Sequence, residues 1–336
     1  MSIESIYLKN FRNHILKKFQ FDEKNFIVGK NGSGKTSIVE AIYIVFSGRS
    51  FRTNRLRNAI NNNHDFFELN GRLSEEGISI PFKLTYKTGK EFFIDKKKVE
   101  NSTEFILKHP IVCYSPENEG FLSDEMEVRR RFLDRLIGYV YPQHIVNLKS
   151  YLKLLNIKKS YIHKKIKDPL LYSSIHEKMI FFGNRISSKR VEFIEKFNSI
   201  IDKNINDFPT FLSENFSLKF AASEIHVSLI DSEIAKGMVL TGPHRDKISF
   251  LINGKICENF ASFGQRKSLS LFCIYCFIKV VEEFLKYGII VILDDLEAGL
   301  DAERVKFFLE KIKPSQLFIT GLPNNTFEKF NTINIE

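Results

Sequence analysis

Long apolar runs and a usable set of cysteines are both missing from this 336-residue chain. No stretch approaches the roughly 18 to 20 apolar residues that a spanning helix needs, and the start, Met1-Ser2-Ile3-Glu4, lacks a signal-peptide pattern. The expected setting is therefore the cytoplasm, with no membrane partner. The four cysteines are Cys113, Cys257, Cys273 and Cys276. Only the last two form a C-x-x-C, inside an apolar helix-like run without a second ligand pair, so buried packing is expected rather than zinc or redox chemistry. Internal repeats and low-complexity linkers are also missing. Acid is in deficit: 40 Asp and Glu face 50 Lys and Arg, a formal net charge of +10 that favours a polyanionic partner. Apolar residues make up 43%, ample for one large or two modest packed domains.

What is present is a complete phosphate-binding loop. Gly29-Lys30-Asn31-Gly32-Ser33-Gly34-Lys35-Thr36 follows a strand-like run, Asn25 to Val28, and precedes a helix-like one, Thr36 to Phe46. Glycines let backbone N–H groups turn around phosphate oxygens where a Cβ would block the approach. Lys35 is expected to reach the β/γ-phosphates and Thr36 to offer its hydroxyl to Mg²⁺, with Ser37 in the same nucleotide-binding set. The helix N-terminus adds a favourable field for the anion. The predicted ligand is ATP with Mg²⁺.

A second half-site appears far downstream. The apolar run Gly288 to Leu293 reads as a buried parallel strand that delivers Asp294 and Asp295 at its C-terminal end. Asp294 is the expected Mg²⁺ partner, through water, and Asp295 the candidate base or orienter for the attacking water; with Lys35 it makes the candidate catalytic pair. Just before this strand, Ser262-Phe263-Gly264-Gln265 opens an apolar helix running from Leu269 to about Val281. That sequence resembles the ABC-ATPase signature. Such a resemblance implies a homodimer with ATP sandwiched between subunits, the signature acting in trans.

Between the half-sites the pattern changes. Short strands are predicted at Ile3–Leu8, Lys17–Phe21, Phe66–Leu73, Ile78–Tyr86 and Ile111–Tyr114, then long amphipathic helices at Ile145–Ile166 and Ile175–Phe197, with breaks at Pro142 and Asp168-Pro169. Strand character returns at Phe216–Phe220 and Ile248–Ile252, the latter closing on an Asn253-Gly254 hairpin signal. The expected fold is α/β, an ABC-like P-loop ATPase with a split core: residues 1–120 and 210–336 form the head, and a helical arm over 121–209 is inserted in it.

Basic clusters are the candidate DNA contacts: Arg52, Arg55 and Arg57 after the P-loop helix, and Lys96, Lys97 and Lys98 at an expected hairpin turn. Lys158, Lys159, Lys164, Lys165 and Lys167 stud one helical region. Arg129, Arg130 and Arg131 each have an acid four residues away, so a solvated helical face is the competing reading there.

Further blocks carry a closer resemblance. Leu8-Lys9-Asn10-Phe11-Arg12-Asn13-His14, Gly48-Arg49-Ser50-Phe51-Arg52-Thr53, Ser115-Pro116-Glu117, Arg129-Arg130-Arg131-Phe132-Leu133-Asp134-Arg135 and Thr241-Gly242-Pro243-His244-Arg245-Asp246 join the P-loop, signature and acidic pair. Over essentially its full length the chain resembles the RecF family of bacterial DNA-repair ATPases. The resemblance implies an SMC-like head, weak DNA-dependent ATPase activity and ATP-dependent dimerisation. It further implies binding to double-stranded DNA and to gaps or single-strand/double-strand junctions, with RecR and RecO as partners in loading RecA. The Thr241–Asp246 block is open between shaping a nucleotide or DNA surface and shaping a turn into a strand.

The chain also departs from the family. Ala298 and Gly299 stand where the family usually carries Ser-Glu, which bears on coupling between dimerisation and hydrolysis. Thr320 stands where a transporter ATPase has a switch histidine. The alternatives to a repair ATPase are the cytosolic ATPase of an ABC transporter, which would carry that histidine and a glutamate base, and a scaffold with a decayed ATP site.

Overall fold

The structure, a computed structural model, describes residues 1–115, 122–123, 125–208, 216–257, 263–285, 288–296, 302–323 and 327–335, with the backbone alone of Asp207, Phe263, Gly264 and Ala302. The first elements are β1 (Ser2–Phe11), β2 (His14–Gln20), β3 (Lys24–Gly29), α1 (Lys35–Ser47), β4 (Phe67–Glu75), β5 (Ile78–Tyr86), β6 (Lys90–Ile94), β7 (Lys97–Lys98), α2 (Ser102–Lys108) and β8 (Ile111–Tyr114). Next come α3 (Met126–Val140), α4 (Pro142–His163), α5 (Pro169–Asn204), β9 (Phe216–Ala221), α6 (Ile230–Lys236), β10 (Lys247–Ile252) and β11 (Lys255–Ile256). The chain closes with α7 (Phe263–Phe284), β12 (Ile290–Leu293), α8 (Ala302–Lys311), β13 (Gln316–Gly321) and β14 (Asn331–Ile335).

Two compact units result, one from Met1–Glu119 with Phe263–Glu336, the other from Gly120–Ser262. The inserted unit thus runs to 262 instead of stopping at 209. Its extra part is the antiparallel sheet β11-β10-β9, whose strands pack against α5 and α3. Asn198 on α5 clips β9 in place, donating to the Leu218 carbonyl at 2.9 Å and accepting from its N–H at 2.8 Å. Strand periodicity reports a pleat; it does not report which core the strand joins.

In the first unit, antiparallel strands in the order β2-β1-β4-β5-β6-β7 and strands in the order β14-β3-β13-β12-β8, all parallel, share one core. Helix α1 packs against strands of both sheets and is buried at every position but Thr36. A helix apolar all round belongs in an interior. Ile38, Ile42, Ile44 and Phe46 are each fully buried, worth about 1.5 to 3 kcal/mol apiece by apolar transfer. The polar strand β14 escapes the hydrophobic pattern because its Asn and Thr residues alternate with isoleucine at a sheet edge.

In the second unit both proline breaks begin helices. Pro142 and Pro169 stand in the first turns of α4 and α5, where a missing N–H costs nothing, and Asp168 caps α5 by accepting from Leu170 at 2.9 Å. The basic block on α3 is not a solvated face. Arg129 is buried and donates to the Ile248 carbonyl at 2.9 Å, Arg130 donates to the Asp246 carbonyl at 2.8 Å, and Arg131 pairs along the helix with Glu127 at 3.9 Å. Lys158 also leaves the basic surface, buried 2.7 Å from Glu233.

Asp134 and Asp246, from two separate sequence blocks, meet at Arg190. The guanidinium contacts Asp134 at 2.7 and 2.9 Å, Asp246 at 2.6 Å and the Pro243 carbonyl at 2.7 Å, while His144 lies 2.8 Å from Asp134. The Thr241–Asp246 block shapes a turn into β10: Gly242, at φ 123°, approaches the Tyr151 hydroxyl too closely for a Cβ, and that hydroxyl lies 2.8 Å from His244 Nδ1. Burial, the largest influence on His244, pushes its pKa down to about 4.

Candidate nucleotide site

Strand β3 ends where α1 begins, with Lys30 to Gly34 forming the loop between them. Gly34 has φ 103°, and a Cβ there would fall 2.7 Å from Asn13 Nδ2 and from His14 Nε2. A Cβ on Gly29 would fall 2.5 Å from the Ile335 carbonyl of β14. Both positions therefore require glycine. Among the described residues no side chain caps the N-terminus of α1, and the buried Ser33 hydroxyl has no hydrogen-bond partner. The Lys35 ammonium folds onto the loop, donating to the Gly29 carbonyl at 2.7 Å and to that of Lys30 at 3.0 Å.

Sheet order places the acidic pair beside this loop. β13 lies between β3 and β12, and Leu293 pairs with Ile319, so Asp294 emerges next to Thr320. Thr320 is buried; its hydroxyl donates to Asp294 Oδ1 at 2.7 Å and accepts the Asp295 N–H at 2.9 Å. Thr36 donates to the same Oδ1 at 3.1 Å, and Ser115 to Oδ2 at 3.4 Å. Asp294 is 3% exposed and ringed by hydroxyls. Burial raises its pKa; the hydroxyls of Thr320, Thr36 and Ser115 pull the other way, and Asp295 adds to the rise. Asp295 is exposed, held at φ 51° in the left-handed region that aspartate tolerates. Lys267 of α7 is buried, which pushes its pKa down to about 8, and it donates to the Asp295 carbonyl at 3.3 Å.

Sequence reasoning assigned no role to the β1–β2 turn or to the acid beneath it. Asn13 and His14 sit against the loop, the former donating to the Ser33 carbonyl at 3.3 Å and the latter 3.3 Å from the Gly34 carbonyl. Arg12 grips the fully buried Glu40 of α1 with two bonds, 2.6 and 2.8 Å, and donates to the Asn58 carbonyl at 2.8 Å. Ser50 adds a bond to Glu40 at 2.5 Å, and Arg52 lies 3.7 Å away. The available signal was a glutamate in the middle of an otherwise apolar helix, which demands a buried partner.

These groups line a cavity of about 670 Å³ that brings together Asn31, Gly32, Gly34, Lys35, Thr36 and Ser37 with Asp294, Asp295, Thr320, Arg12, Asn13, Arg52 and Ser115. The volume suits a nucleotide-sized ligand. Arg52, grouped in the sequence with the DNA candidates, stands at this cavity. Arg55 and Arg57 are exposed around a single 3-10 turn, Leu56–Ala59. Lys96, Lys97 and Lys98 are exposed at the β6–β7 hairpin, whose Asp95 and Lys96 both take left-handed φ, 48° and 63°. Of the signature, Ser262 lies outside the described residues, as do Ala298 and Gly299; α7 starts at Phe263, and Gln265 is exposed in its first turn.

A family model described as the RecF/RecN/SMC N-terminal domain matches residues 2–335. The chain belongs to that family. It is 28% identical over 363 residues to the DNA replication and repair protein RecF of Bacillus cytotoxicus, covering 100% of this chain and 97% of that protein. Against its counterpart in Bacillus thuringiensis (strain Al Hakam) the identity is again 28%, over 364 residues with the same coverage. Among solved structures, the recombination mediator protein RecF-ATPrS in the RecFOR pathway superposes with a TM-score of 0.85 at 25% identity, over 96% of this chain and 93% of that one. The corresponding RecF-ATP structure gives 0.82 at 26%, with the same coverage. The fold is that of a RecF-type α/β P-loop ATPase head, its core split in sequence by the inserted unit.

No helix among the described residues is long and apolar enough to cross a membrane. Among the same residues, no group of three or more His, Cys, Asp or Glu side chains could hold a metal ion.

Proposed function

We propose that this chain is an ATP-dependent DNA-binding protein of recombinational repair and replication restart, acting in the cytoplasm. The observation that carries the reading is Thr36 meeting Asp294 at 3.1 Å in the mouth of the P-loop cavity. Full-length likeness to RecF–ATP structures supports it and does not favour a transporter ATPase.

The donor set fits Mg²⁺. A hydroxyl and a buried carboxylate oxygen are hard ligands, and Mg²⁺ is characteristically held by one or two protein oxygens plus phosphates and water. Thr36 and Asp294 would hold it, and it would neutralise charge on the β- and γ-phosphates. The loop amides of Gly29 to Gly34, with Lys30, Asn31, Ser33 and Ser37, cradle the triphosphate of ATP. Lys35 exchanges its two carbonyl partners for phosphate oxygens, and Asp295 orients the attacking water. With Asp295 on the shorter aspartate arm and Thr320 tied to the acidic pair, hydrolysis is slow and DNA-dependent. Ser262, Phe263, Gly264 and Gln265 act on the nucleotide of a second copy, so ATP times the life of a homodimer on gapped or junction DNA. RecR and RecO are the partners through which RecA is loaded.

The test is a salt titration of duplex and junction DNA binding with ATP and with ADP, run beside sedimentation. Log affinity should fall by about 0.9 per neutralised phosphate per log unit of salt, and ATP should both dimerise the chain and steepen that slope. Binding to DNA that ignores nucleotide and salt would sink the reading.

A further inference from the structure

The six-stranded sheet of the first unit has a buried face and a solvent face, and the strand register fixes what each one carries. On the buried face Leu8, Leu69, Leu84 and Phe92 lie in one cross-strand row, none more than 5% exposed. The next row faces solvent and takes one residue from every strand: Lys18, Tyr7, Asn70, Lys83, Phe93 and Lys98. Its lysines are exposed, and its aromatics, Tyr7 and Phe93, are half-buried and not part of the core cluster. Three strand spacings separate the two rings, about 14 Å.

We propose that this row is a docking platform for single-stranded DNA, with the rings of Tyr7 and Phe93 stacking on bases and the lysines following the backbone. An antiparallel sheet that exposes aromatic rings between cations can serve any base, since every base has a π-face. A duplex cannot use the rings, because its base faces are already stacked on one another.

Charge favours the polyanion. Lys9, Lys18, Arg72, Lys83 and Lys98 share the face with Glu4, Glu68 and Glu91, and the acids offset only part of the positive field. The Lys18 ammonium lies over the Tyr7 ring, 5.1 Å from its centre, so a base that takes the ring displaces the ammonium toward the adjoining phosphate. The platform rests on the DNA-binding reading above and deepens it: a chain that acts at gaps needs a surface that tells single strand from duplex.

The chain has no tryptophan, so Phe93→Trp in the full-length protein creates a lone reporter. Saturable quenching of its emission by oligo-dT is expected. Tyr7→Leu and Phe93→Leu, which keep apolar bulk and remove the ring, should each weaken oligo-dT binding on the order of tenfold. Duplex affinity and ATP binding should stay within twofold. If oligo-dT binds by anisotropy while the tryptophan emission does not move, the platform is wrong and the DNA reading stands. Equal weakening of duplex and single strand would also overturn it. If no DNA binds in any form, both fall.

Discussion

Two buried aspartates, one in each unit, sit in opposite circumstances. Asp134 in the inserted unit is closed in by the fold's own side chains: the Arg190 guanidinium takes both of its oxygens, and His144 lies 2.8 Å from one of them. Asp294 in the ATPase unit is as deeply buried yet is met only by hydroxyls among the described residues. Their titrations diverge accordingly. Burial works to raise both, but beside Arg190 and His144 the Asp134 carboxyl is brought down to about 2, whereas Asp294 stays above the ordinary aspartate value. A charge whose partners are all supplied by the fold serves the fold. The Mg²⁺ role proposed for Asp294 suits a carboxylate that the described residues leave short of a cation.

The largest effect that would break this contrast is at Arg190. Arg190→Met removes the cation and leaves Asp134 and Asp246 buried together, at a cost of about 3 to 5 kcal/mol. Urea unfolding should show the loss as a lower midpoint. A change below about 1 kcal/mol, the size of an ordinary substitution, would mean the network is not what holds the second unit.

The mirror experiment is at Asp294. Asp294→Asn removes a desolvated charge that no described cation balances, so stability should remain within about 1 kcal/mol of the parent. Turnover should fall by about a hundredfold or more, the scale of losing one electrostatic stabiliser. ATPase rate and urea midpoint measured on one preparation separate the two. Full stability loss with retained turnover would exchange the roles assigned to the two aspartates.

Much of this contrast was legible in the sequence, and the part that was not has a physical reason. A strand, a glycine-rich turn and a helix are local, so the P-loop could be read directly, as could Asp294 and Asp295 at the end of an apolar strand. Prolines 142 and 169 marked helix boundaries for the same reason. Arg190 gave no such sign. On a 36-residue amphipathic helix it looks like any surface arginine, and only the meeting of α3, α5 and the turn before β10 buries it. Arg12 and Glu40 are likewise 28 positions apart. The Thr241–Asp246 block could be recognised but not interpreted, because its partners, Tyr151 and Arg190, lie in other elements.

The pH dependence sharpens the comparison on a smaller scale. Asp134 titrates at about 2 in the folded chain against an ordinary 3.8, so it contributes about 2 kcal/mol of stability above pH 4, lost as pH falls toward 2. Asp246 is raised, chiefly by burial, and so works in the opposite sense: its protonation on acidification favours the folded state. Asp134→Asn should therefore lower the urea midpoint at neutral pH and flatten its decline between pH 4 and 2. An unchanged acid limb would show that Asp134 is not responsible for it.

The smallest expected effect tests the division within the arginines after α1. Arg52 lies 3.7 Å from Glu40, an acid already gripped twice by Arg12, and its side chain, 28% exposed, stands at the nucleotide cavity. Arg55 and Arg57 are exposed around the 3-10 turn. A residue tied to the cavity through a buried acid should act on nucleotide, and exposed cations should act on phosphate backbone. Arg52→Ala should weaken ATP binding a few fold, near 1 kcal/mol, and leave the salt slope of DNA binding alone. Changing Arg55 and Arg57 together to alanine should leave ATP affinity unchanged and flatten the slope by about 0.9 for each phosphate no longer neutralised. If Arg52→Ala instead flattened the slope at constant ATP affinity, the three arginines would form one DNA-binding cluster, and the link through Glu40 would be packing alone.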